Sequence, residues 1–568
     1  MASDNNMRSL WRGAGRPDRR DLLVGTALLA LAAVIFAKGL AIGGPRWGDA
    51  GTHVMDGVLI YDWALAGPSA WIDPVGFAER QFGYYPSLGI VGNYPPGFAV
   101  VEACFFAVFG VSVVTARLCV LMFAVLLVGG LFVLVRRFTG RLQAACAVLG
   151  LLAMPSAVLW GRQAMLEVPT LAVLVWSAVA ACRYHERPNW RRLICWVLLS
   201  VTAVMFKQTA AFVIVPYAVL LVVWTVYRRS PWTHLVAAGV VSLGAVGGYA
   251  LLISSGGKST PLVLEVISCG RSPIEMLSAE SWLAYLRWLP GQVGWVVLAL
   301  GTVGLILSLR RPNRLTALMV LWLICFYAQS SLIQHKEPRY FFFGLLPIAI
   351  WAGTAVGTLV AQFRCRRVRL TAAVVLSVLV GALGYKQSIP YRPDYGPLVL
   401  AHRDQITGQV VLFDGQRDSD FILAVRQHLG PRQCVVVRAS KVLYACATLP
   451  KFRFESYVDS VEDVGGILRG FAFDSVFVER HPRQNLAEEH LLRAFLNESG
   501  DYALTSSQTL RAGPGIAPSC INKVDVDVYL PQCPPTRRAE SYTIPILSDN
   551  RTVSVNLDQL VAEIEPPT

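Results

Sequence analysis

Most of residues 21–386 is made of apolar runs, each near the length of a bilayer span and broken at most by an occasional charge, and this pattern leaves little choice of fold. The runs lie near residues 21–42, 114–135, 142–160, 164–182, 193–206, 208–227, 233–254, 291–309, 315–333, 340–361 and 369–386, eleven in all. About 20 apolar residues in helical form cross the hydrocarbon core, and inside lipid a backbone satisfies its own polar groups only in helices or closed barrels. Only 15% of the chain is charged and 54% is hydrophobic, against roughly 25% charge in soluble domains. These values exclude a soluble fold. The first run, Asp21 to Gly43, has no small-residue cleavage site, so it reads as a retained span that both targets and anchors the chain.

The formal net charge of +14 does not point to nucleic acid, because Lys and Arg sit in short clusters between the apolar runs. The clusters are RPDRR at 16–20, RRFTGR at 136–141, RYHERPNWRR at 183–192, RRSPWTH at 228–234, RRPNR at 310–314 and RCRRVR at 364–369. With a cytoplasmic N-terminal segment, residues 1–20, all six fall on the inner side, as the positive-inside rule requires. The same rule decides the apolar segment Pro96 to Gly110. Counting it as a span would place RRFTGR outside, and it is too short to cross. It reads instead as a juxtamembrane helix within a first outer loop running from 43 to 113. The expected fold class is therefore an all-α polytopic membrane domain, residues 21–388, with an odd number of spans that puts the C-terminus outside.

From about residue 389 the composition changes. Strand-like runs at 410–414, 434–439, 475–479 and 526–530 alternate with helical patterns at 418–429, 460–471 and 485–496, each opening on an Asp, Ser or Asn cap. Residues 389–568 thus read as an extracytoplasmic α/β domain, with a loosely structured tail after about 535. It shows no phosphate-binding glycine loop and no nucleophile motif. Cys434 with Cys446, and Cys520 with Cys533, form two close pairs that could be disulfides in an oxidising compartment.

Charge near a bilayer is costly and marks function, and in this topology the unusual polar residues converge on the outer face. The first outer loop carries Asp49, His53 and Asp56 and ends in Tyr94, Pro95, Pro96. Arg117 lies at the outer end of the second span, the next outer turn holds Arg162 and Glu167, and another holds Lys207 and Gln208. The turn after the ninth run is QHKEPRY, with His335, Lys336, Glu337, Arg339 and Tyr340. Acids and bases together suit glycosyl transfer from a phosphate-linked donor. A carboxylate removes the acceptor proton, and cations offset charge developing on the leaving phosphate. Each residue also has a plainer reading: Asp49 as a loop or cap carboxylate, Glu167 as a helix-start acid, Lys207, Lys38 and Arg117 as snorkelling cations, and the His-Lys-Glu-Pro-Arg cluster as a solvated turn with internal ion pairs. His53 reads either as a metal ligand beside Asp49 or as a solvated histidine.

Taken in order, these motifs resemble those of the GT-C superfamily, specifically the protein-mannosyltransferase and aminoarabinose-transferase-like group of bacterial membrane proteins. The resemblance rests on Asp49 after the first span; on Tyr94-Pro95-Pro96 before a helix ending in Phe109-Gly110; on Arg117; and on Gly161, Arg162, Glu167 and Pro169 in one loop. The run from His335 to Tyr340 is similar to the His-Lys-Glu turn of related lipid-linked mannosyltransferases. The likeness covers residues 20 to 385. It implies a polyprenyl-phosphate-monosaccharide donor, inverting transfer at the outer face and, in many members, no metal requirement, so that no cofactor is expected and a divalent metal is left open. The chain departs from the pattern where Ala50 follows Asp49 in place of a second acid, leaving Asp56 as the candidate substitute. It departs again at Tyr94, where relatives often have Lys, and at Glu167, where Asp is commoner. The expected roles are Asp49 as general base and Glu167 as a second acid, with Lys207, Lys336 and Arg339 on the phosphate. His53, Tyr94, Pro95, Pro96, Arg117, Arg162, His335, Glu337 and Tyr340 complete the substrate pocket. The partners expected are the lipid-linked donor, an acceptor that is protein, lipid or glycan, and the plasma (inner) membrane. The rival is a transporter or lipid-linked glycan flippase, against which stand nearly uncharged helix interiors and the lack of an internal repeat.

Overall fold

The computed structural model describes residues 18–45, 48–89, 94–213, 216, 219, 222–223, 231–255, 278–333, 336–387, 389, 391–447, 453–481, 485–512, 523–534, 540–546 and 551–564. The principal helices are α1 (Arg19–Ala37), α2 (Gly48–Leu65), α3 (Gly97–Phe109), α4 (Val113–Arg136), α5 (Arg141–Ala153), α6 (Pro155–Gly161), α7 (Glu167–Glu186), α8 (Trp190–Phe206), α9 (Trp232–Ser255), α10 (Ala279–Val293), α11 (Trp295–Arg310), α12 (Arg314–Leu332), α13 (Leu346–Ala361) and α14 (Arg366–Lys386). Among the described residues, five helical segments are long and apolar enough to cross a bilayer: α1, α4, α12, Pro338–Ala361 and Arg367–Lys386. Counting each of two bent pairs as one span brings the number to seven. The pair α5 and α6 turns by 73° where Pro155 opens the second helix, and α10 and α11 turn by 112° at Gly294, whose φ of +84° suits glycine. Every expected apolar run meets helical residues, and half of the run 208–227 lies outside the described residues. The segment Pro96 to Gly110 forms the short helix expected of it.

The chain divides into two compact units. One comprises Met1–Leu40, Arg117–Leu251 and Val266–Ile389, and the other Ala41–Ala116, Leu252–Glu265 and Pro390–Thr568.

The first unit is a helix assembly with two chemically distinct ends. At one end Asp18 and Asp21 close a capping box on α1 and take the basic cluster at 136–141: Arg136 reaches Asp21 at 2.8 Å, and Arg141 reaches Asp21 at 2.6 Å and Asp18 at 2.7 Å. Arg137 pairs with Glu186, the last residue of α7. At the other end the C-termini of α1 and α14 lie together, because Arg162 donates to Ile35 O at 2.8 Å, Gly384 O at 2.9 Å and Gln387 O at 3.0 Å. The chain therefore leaves α1 and α14 at the same end.

In the second unit, five strands form one sheet in the order β2 (Val435–Arg438), β1 (Val410–Asp414), β5 (Ser475–Glu479), β7 (Lys523–Pro531), β6 (Tyr502–Arg511). β1 pairs in parallel with β2 and β5, and β7 runs antiparallel to both its neighbours. All five residues of β1 and of β5 are buried, which is why these strands read as unbroken apolar runs instead of alternating ones. Helix α15 (Asp418–Leu429) connects β1 to β2, and Phe421 stacks on Phe413 with ring centroids 4.2 Å apart. Helices α16 (Val461–Phe471) and α17 (Ala487–Glu498) flank β5 in sequence, α16 opening on a Ser460 capping box. A two-stranded ladder, β3 (Tyr444–Ala447) with β4 (Arg453–Ser456), lies between β2 and α16 in the chain. The tail corrects the expectation of loose structure. It forms an antiparallel pair, β8 (Ser541–Ile546) with β9 (Arg551–Asn556), followed by α18 (Leu557–Ala562), because Tyr542, Ile544, Val553, Val555 and Leu557 supply an alternating apolar face that is buried. Cys434 and Cys533 are free thiols, Cys434 buried; Cys520 lies outside the described residues.

Candidate functional site

The expected site residues fall into two sets, one in each unit. In the helical unit the backbone leaves helical geometry at Lys207, the C-cap of α8, where φ is −154° and ψ 124°. This extended residue turns its ammonium onto Glu167, the first residue of α7, with Nζ 2.6 Å from Oε1. The Glu167 side chain is 0% exposed and that of Lys207 13%, so the pair is buried and its charges largely cancel. Lys207 Nζ also lies 5.9 Å from the ring centre of Phe343. Phe343 belongs to the 3-10 segment Pro338–Leu345, which continues the His-Lys-Glu turn. In that turn Lys336 donates to Ser330 O at 3.0 Å and Ser331 O at 2.5 Å and lies 5.6 Å from the ring centre of Tyr285. Glu337 pairs with Arg339 at 2.5 Å, and the Arg339 guanidinium lies 5.2 Å from the ring centre of Tyr340. His335 lies outside the described residues. The structure thus connects Glu167, Lys207 and the Lys336–Tyr340 turn through one 3-10 segment.

Two other arginines of this unit have structural work. Arg162 spends three donors on carbonyls at the C-terminal ends of α1 and α14, where orphan carbonyls and the helix dipole both favour a cation. Arg117, 2% exposed, donates to Leu40 O at 3.1 Å. Lys38 similarly donates to Tyr385 O at 2.6 Å and covers the Tyr385 ring.

Sequence reasoning missed a group of uncharged polar residues here. Gln163, Gln292 and Gln329 are each at most 4% exposed, and both amide atoms of each lack a hydrogen-bond partner. The hydroxyls of Tyr285, Ser331 and Thr170 are in the same position. Buried polar atoms are normally satisfied, so these unpartnered groups stand out among the described residues. The only signal in the sequence was Gln within apolar runs, and the search for charge passed over it.

In the second unit α2 carries Asp49, His53 and Asp56 at i, i+4 and i+7, a spacing that puts all three along one helix face. His53 is 4% and Asp56 3% exposed. The expectation of a solvated His53 is corrected: its ring meets Tyr94 edge-on, centroids 4.6 Å apart. Tyr94 is held by its N–H to Gly89 O at 3.0 Å, Pro95 is buried, and Pro96 is the N-cap of α3, so the Pro-Pro motif sets where this helix starts. Among the described residues no group of three or more His, Cys, Asp or Glu side chains is arranged to hold a metal.

The position of α2 is fixed by the α/β sheet of the same unit. The carboxyl ends of β1, β2 and β5 carry Asp414, Arg438 and Glu479, the edge at which doubly wound sheets ordinarily take ligands. Arg493 binds Asp414 at 2.9 Å, Glu479 hydrogen-bonds Tyr395, and Arg438 reaches Asp418 at 2.5 Å and Pro86 O at 2.8 Å. Arg417 donates to Pro45 O at 3.3 Å, Arg426 clasps Asp62 with both arms of its guanidinium, and a Cβ at Gly51 would lie 2.6 Å from Asp420 Oδ1. Burial pushes the Asp414 and Asp420 carboxyls up to about 7 despite Arg493 and Arg417, and it also raises Glu479.

The family model described as dolichyl-phosphate-mannose-protein mannosyltransferase matches residues 93–247, the stretch that includes Tyr94, the Pro-Pro motif, α3, Arg117, Arg162, Glu167 and Lys207. Two solved structures of ArnT from Cupriavidus metallidurans resemble the chain, each covering 89% of it and 97% of their own length. The one bound to undecaprenyl phosphate is 16% identical with a TM-score of 0.54, and the apo form is 15% identical with a TM-score of 0.57. At those identities the likeness is one of fold. No curated protein sequence matches the chain.

Proposed function

We propose that this chain, a GT-C protein of the protein-mannosyltransferase and aminoarabinose-transferase-like type, is a membrane glycosyltransferase that moves a monosaccharide from a polyprenyl-phosphate donor to an acceptor at the outer face of the membrane. The observation that carries this reading is the acidic face of α2, with Asp49, His53 and Asp56 aligned on a helix held by the α/β sheet, in a chain with this fold. The donor class is supported by the ArnT neighbour, which is bound to undecaprenyl phosphate.

In the proposed reaction Asp49 takes the proton of the acceptor hydroxyl as that oxygen bonds the anomeric carbon. The bond from that carbon to the phosphate oxygen breaks on the opposite face, its electron pair leaving with the lipid phosphate, and the sugar inverts. Lys336, Lys207 and Arg339 offset the phosphate charge. Glu167 orients Lys207, Arg162 and Arg117 hold the helix ends that carry these loops, and the bare amides of Gln163, Gln292 and Gln329 meet sugar hydroxyls. The reading places eleven spans in a plasma (inner) membrane, the N-terminal segment in the cytoplasm and residues 389–568 outside.

The test compares the purified protein with Asp49→Asn against a panel of polyprenyl-phosphate hexoses and pentoses, with membrane extract as acceptor, following donor consumption by mass spectrometry. Loss of a general base lowers the rate on the order of 10²–10⁴-fold. Equal consumption by both proteins removes Asp49 from this role, and no consumption of any donor favours the flippase reading.

A further inference from the structure

The turn that follows α2 is made almost wholly of exposed apolar side chains. From Ala64 to Val75 the chain reads ALAGPSAWIDPV, and every residue except Gly67 and Ala70 is exposed. Leu65, Trp71, Ile72 and Val75 stand out, Ile72 at 85% exposure, and the one charge in the stretch is Asp73. Scattered exposed apolar residues are ordinary, as Leu400, Tyr457 and Leu504 are among the described residues after 390, but a contiguous apolar lobe marks a contact surface.

The lobe closes on itself. Gly67 turns the chain at a φ of +84°, and the short helix Pro68–Ile72 folds back on α2. Trp63 Nε1 donates to Ala70 O at 2.9 Å, and Trp71 Nε1 donates to Trp63 O at 3.1 Å. Both indole N–H groups are satisfied inside the lobe, so the rings can leave water without stranding a donor. Asp73 accepts the Gly76 N–H on Oδ1 at 2.8 Å and caps the helix Pro74–Tyr84.

The place of the lobe within its unit says what faces it. Just before Leu65, Asp62 is clasped by both arms of the Arg426 guanidinium. The next residue of α15, Gln427, accepts the N–H of Val113 on Oε1 at 3.3 Å, and Val113 is the first residue of the spanning helix α4. Adjacent residues of one helix thus hold the base of the lobe and the start of a span, and the interfacial zone of a bilayer is only about 5–7 Å deep on each side of the hydrocarbon. Helix α3 agrees. A Cβ at Gly57 would lie 2.8 Å from Glu102 Cβ and 2.9 Å from Phe106 Cε2, so α3 turns these residues to α2. Its other face, with Val100, Cys104 and Val108, is exposed and uncharged, and Phe109 ends the helix just ahead of α4.

We propose that the lobe of residues 64–75 is a lipid-contacting tip: Leu65, Trp71, Ile72 and Val75 enter the acyl–headgroup boundary beside the point where α4 meets the bilayer, and so anchor the end of α2 to the membrane surface. Trp rings favour that boundary. Asp73 limits the depth, because a carboxylate stays with the headgroups. The partner is the bilayer itself, and the anchoring holds whether or not the chain transfers a sugar.

The test places a photoreactive benzophenone amino acid at one position at a time in the full-length protein, reconstituted in vesicles of phosphatidylethanolamine and phosphatidylglycerol. After irradiation, mass spectrometry identifies what each position has captured. Ile72 is exposed enough to accept the probe without loss of a buried contact, and Val108 on α3 and Leu504 on β6 serve as references. The expected result is a phospholipid adduct at 72 and at 108 and none at 504. An adduct at 108 without one at 72 overturns the tip, as does equal lipid capture at 72 and 504. Capture of a second protein chain at 72 replaces the bilayer with a protein partner and overturns it too. In a second measurement, Ile72→Asp with Val75→Asp puts two further carboxylates on the tip, and lipid capture by a probe at Leu65 falls several-fold while capture at 108 stays the same. Unchanged capture at 65 means that these side chains do not enter the lipid.

Discussion

Glu167 and Glu102 are both fully buried glutamates on helices that border an apolar environment, yet they are handled in opposite ways. Glu167 is held at 2.6 Å by Lys207, so it can stay charged because a cation is buried with it. Glu102 has no hydrogen-bond partner and a negative neighbour, and burial raises its carboxyl accordingly. An ion pair keeps a buried charge in place, whereas an acid buried without a hydrogen-bond partner is driven toward its neutral form.

The sharpest way to break this comparison is to make Glu167 resemble Glu102. Lys207→Met leaves a buried carboxylate without its cation, and removal of one partner from a buried pair costs about 3–5 kcal/mol. The expected result is a large fall in thermal unfolding temperature in detergent, with much of it restored in the double variant Glu167→Gln/Lys207→Met, where no charge is stranded. If the double variant is as unstable as the sum of the singles, the two residues do not act as a pair. Arg162 offers a third way of keeping a charge buried, through backbone carbonyls. Arg162→Gln keeps an amide donor for these carbonyls but gives up the charge, for a net loss comparable to one charge-assisted bond, about 1.5–3 kcal/mol. A loss within that range, intermediate between Lys207→Met and a surface change, is expected in the same unfolding assay; no loss would mean the helix ends are held by other contacts.

How much of this could be read from the sequence depends on the range of the interaction concerned. The apolar runs gave the helices because hydropathy is a local signal, and the observed pairing of Arg136 and Arg141 with Asp18 and Asp21 puts two of the basic clusters at one end. The α/β strands were legible for the same reason, since buried parallel strands are short continuous apolar runs. The tail was misread because the β8–β9 hairpin follows residues 535–539, rich in polar and charged side chains, and its apolar face alternates over only a few positions. Residue types at the candidate site were legible, but their partners were not. Nothing local told that Arg162 would be absorbed by three carbonyls on helices more than a hundred residues away, or that Glu102, one acid in an apolar helix, would rest against Gly57. These are consequences of which helices pack together.

Asp420 stands between the two glutamates and yields the mildest test. It is buried, its nearest cation, Arg417, is 3.6 Å away, and neither of its oxygens accepts a hydrogen bond. Burial outweighs Arg417 and raises its carboxyl to about 7, whereas in the unfolded chain it titrates near the ordinary 3.8. The folded state therefore binds this proton more tightly than the unfolded state. The group's contribution to stability is fully present below pH 3.8 and is lost as pH rises from there through about 7, at up to roughly 1.4 kcal/mol per pH unit. Asp414, raised similarly beside Arg493, adds a slope of the same sign. Asp420→Asn keeps the shape and cannot ionise, so its unfolding temperature should fall less between pH 5 and 8 than the parent's, with the two closest at the acid end. Parallel curves would mean that Arg417 keeps Asp420 ionised in the folded protein, which would move this residue to the side of Glu167.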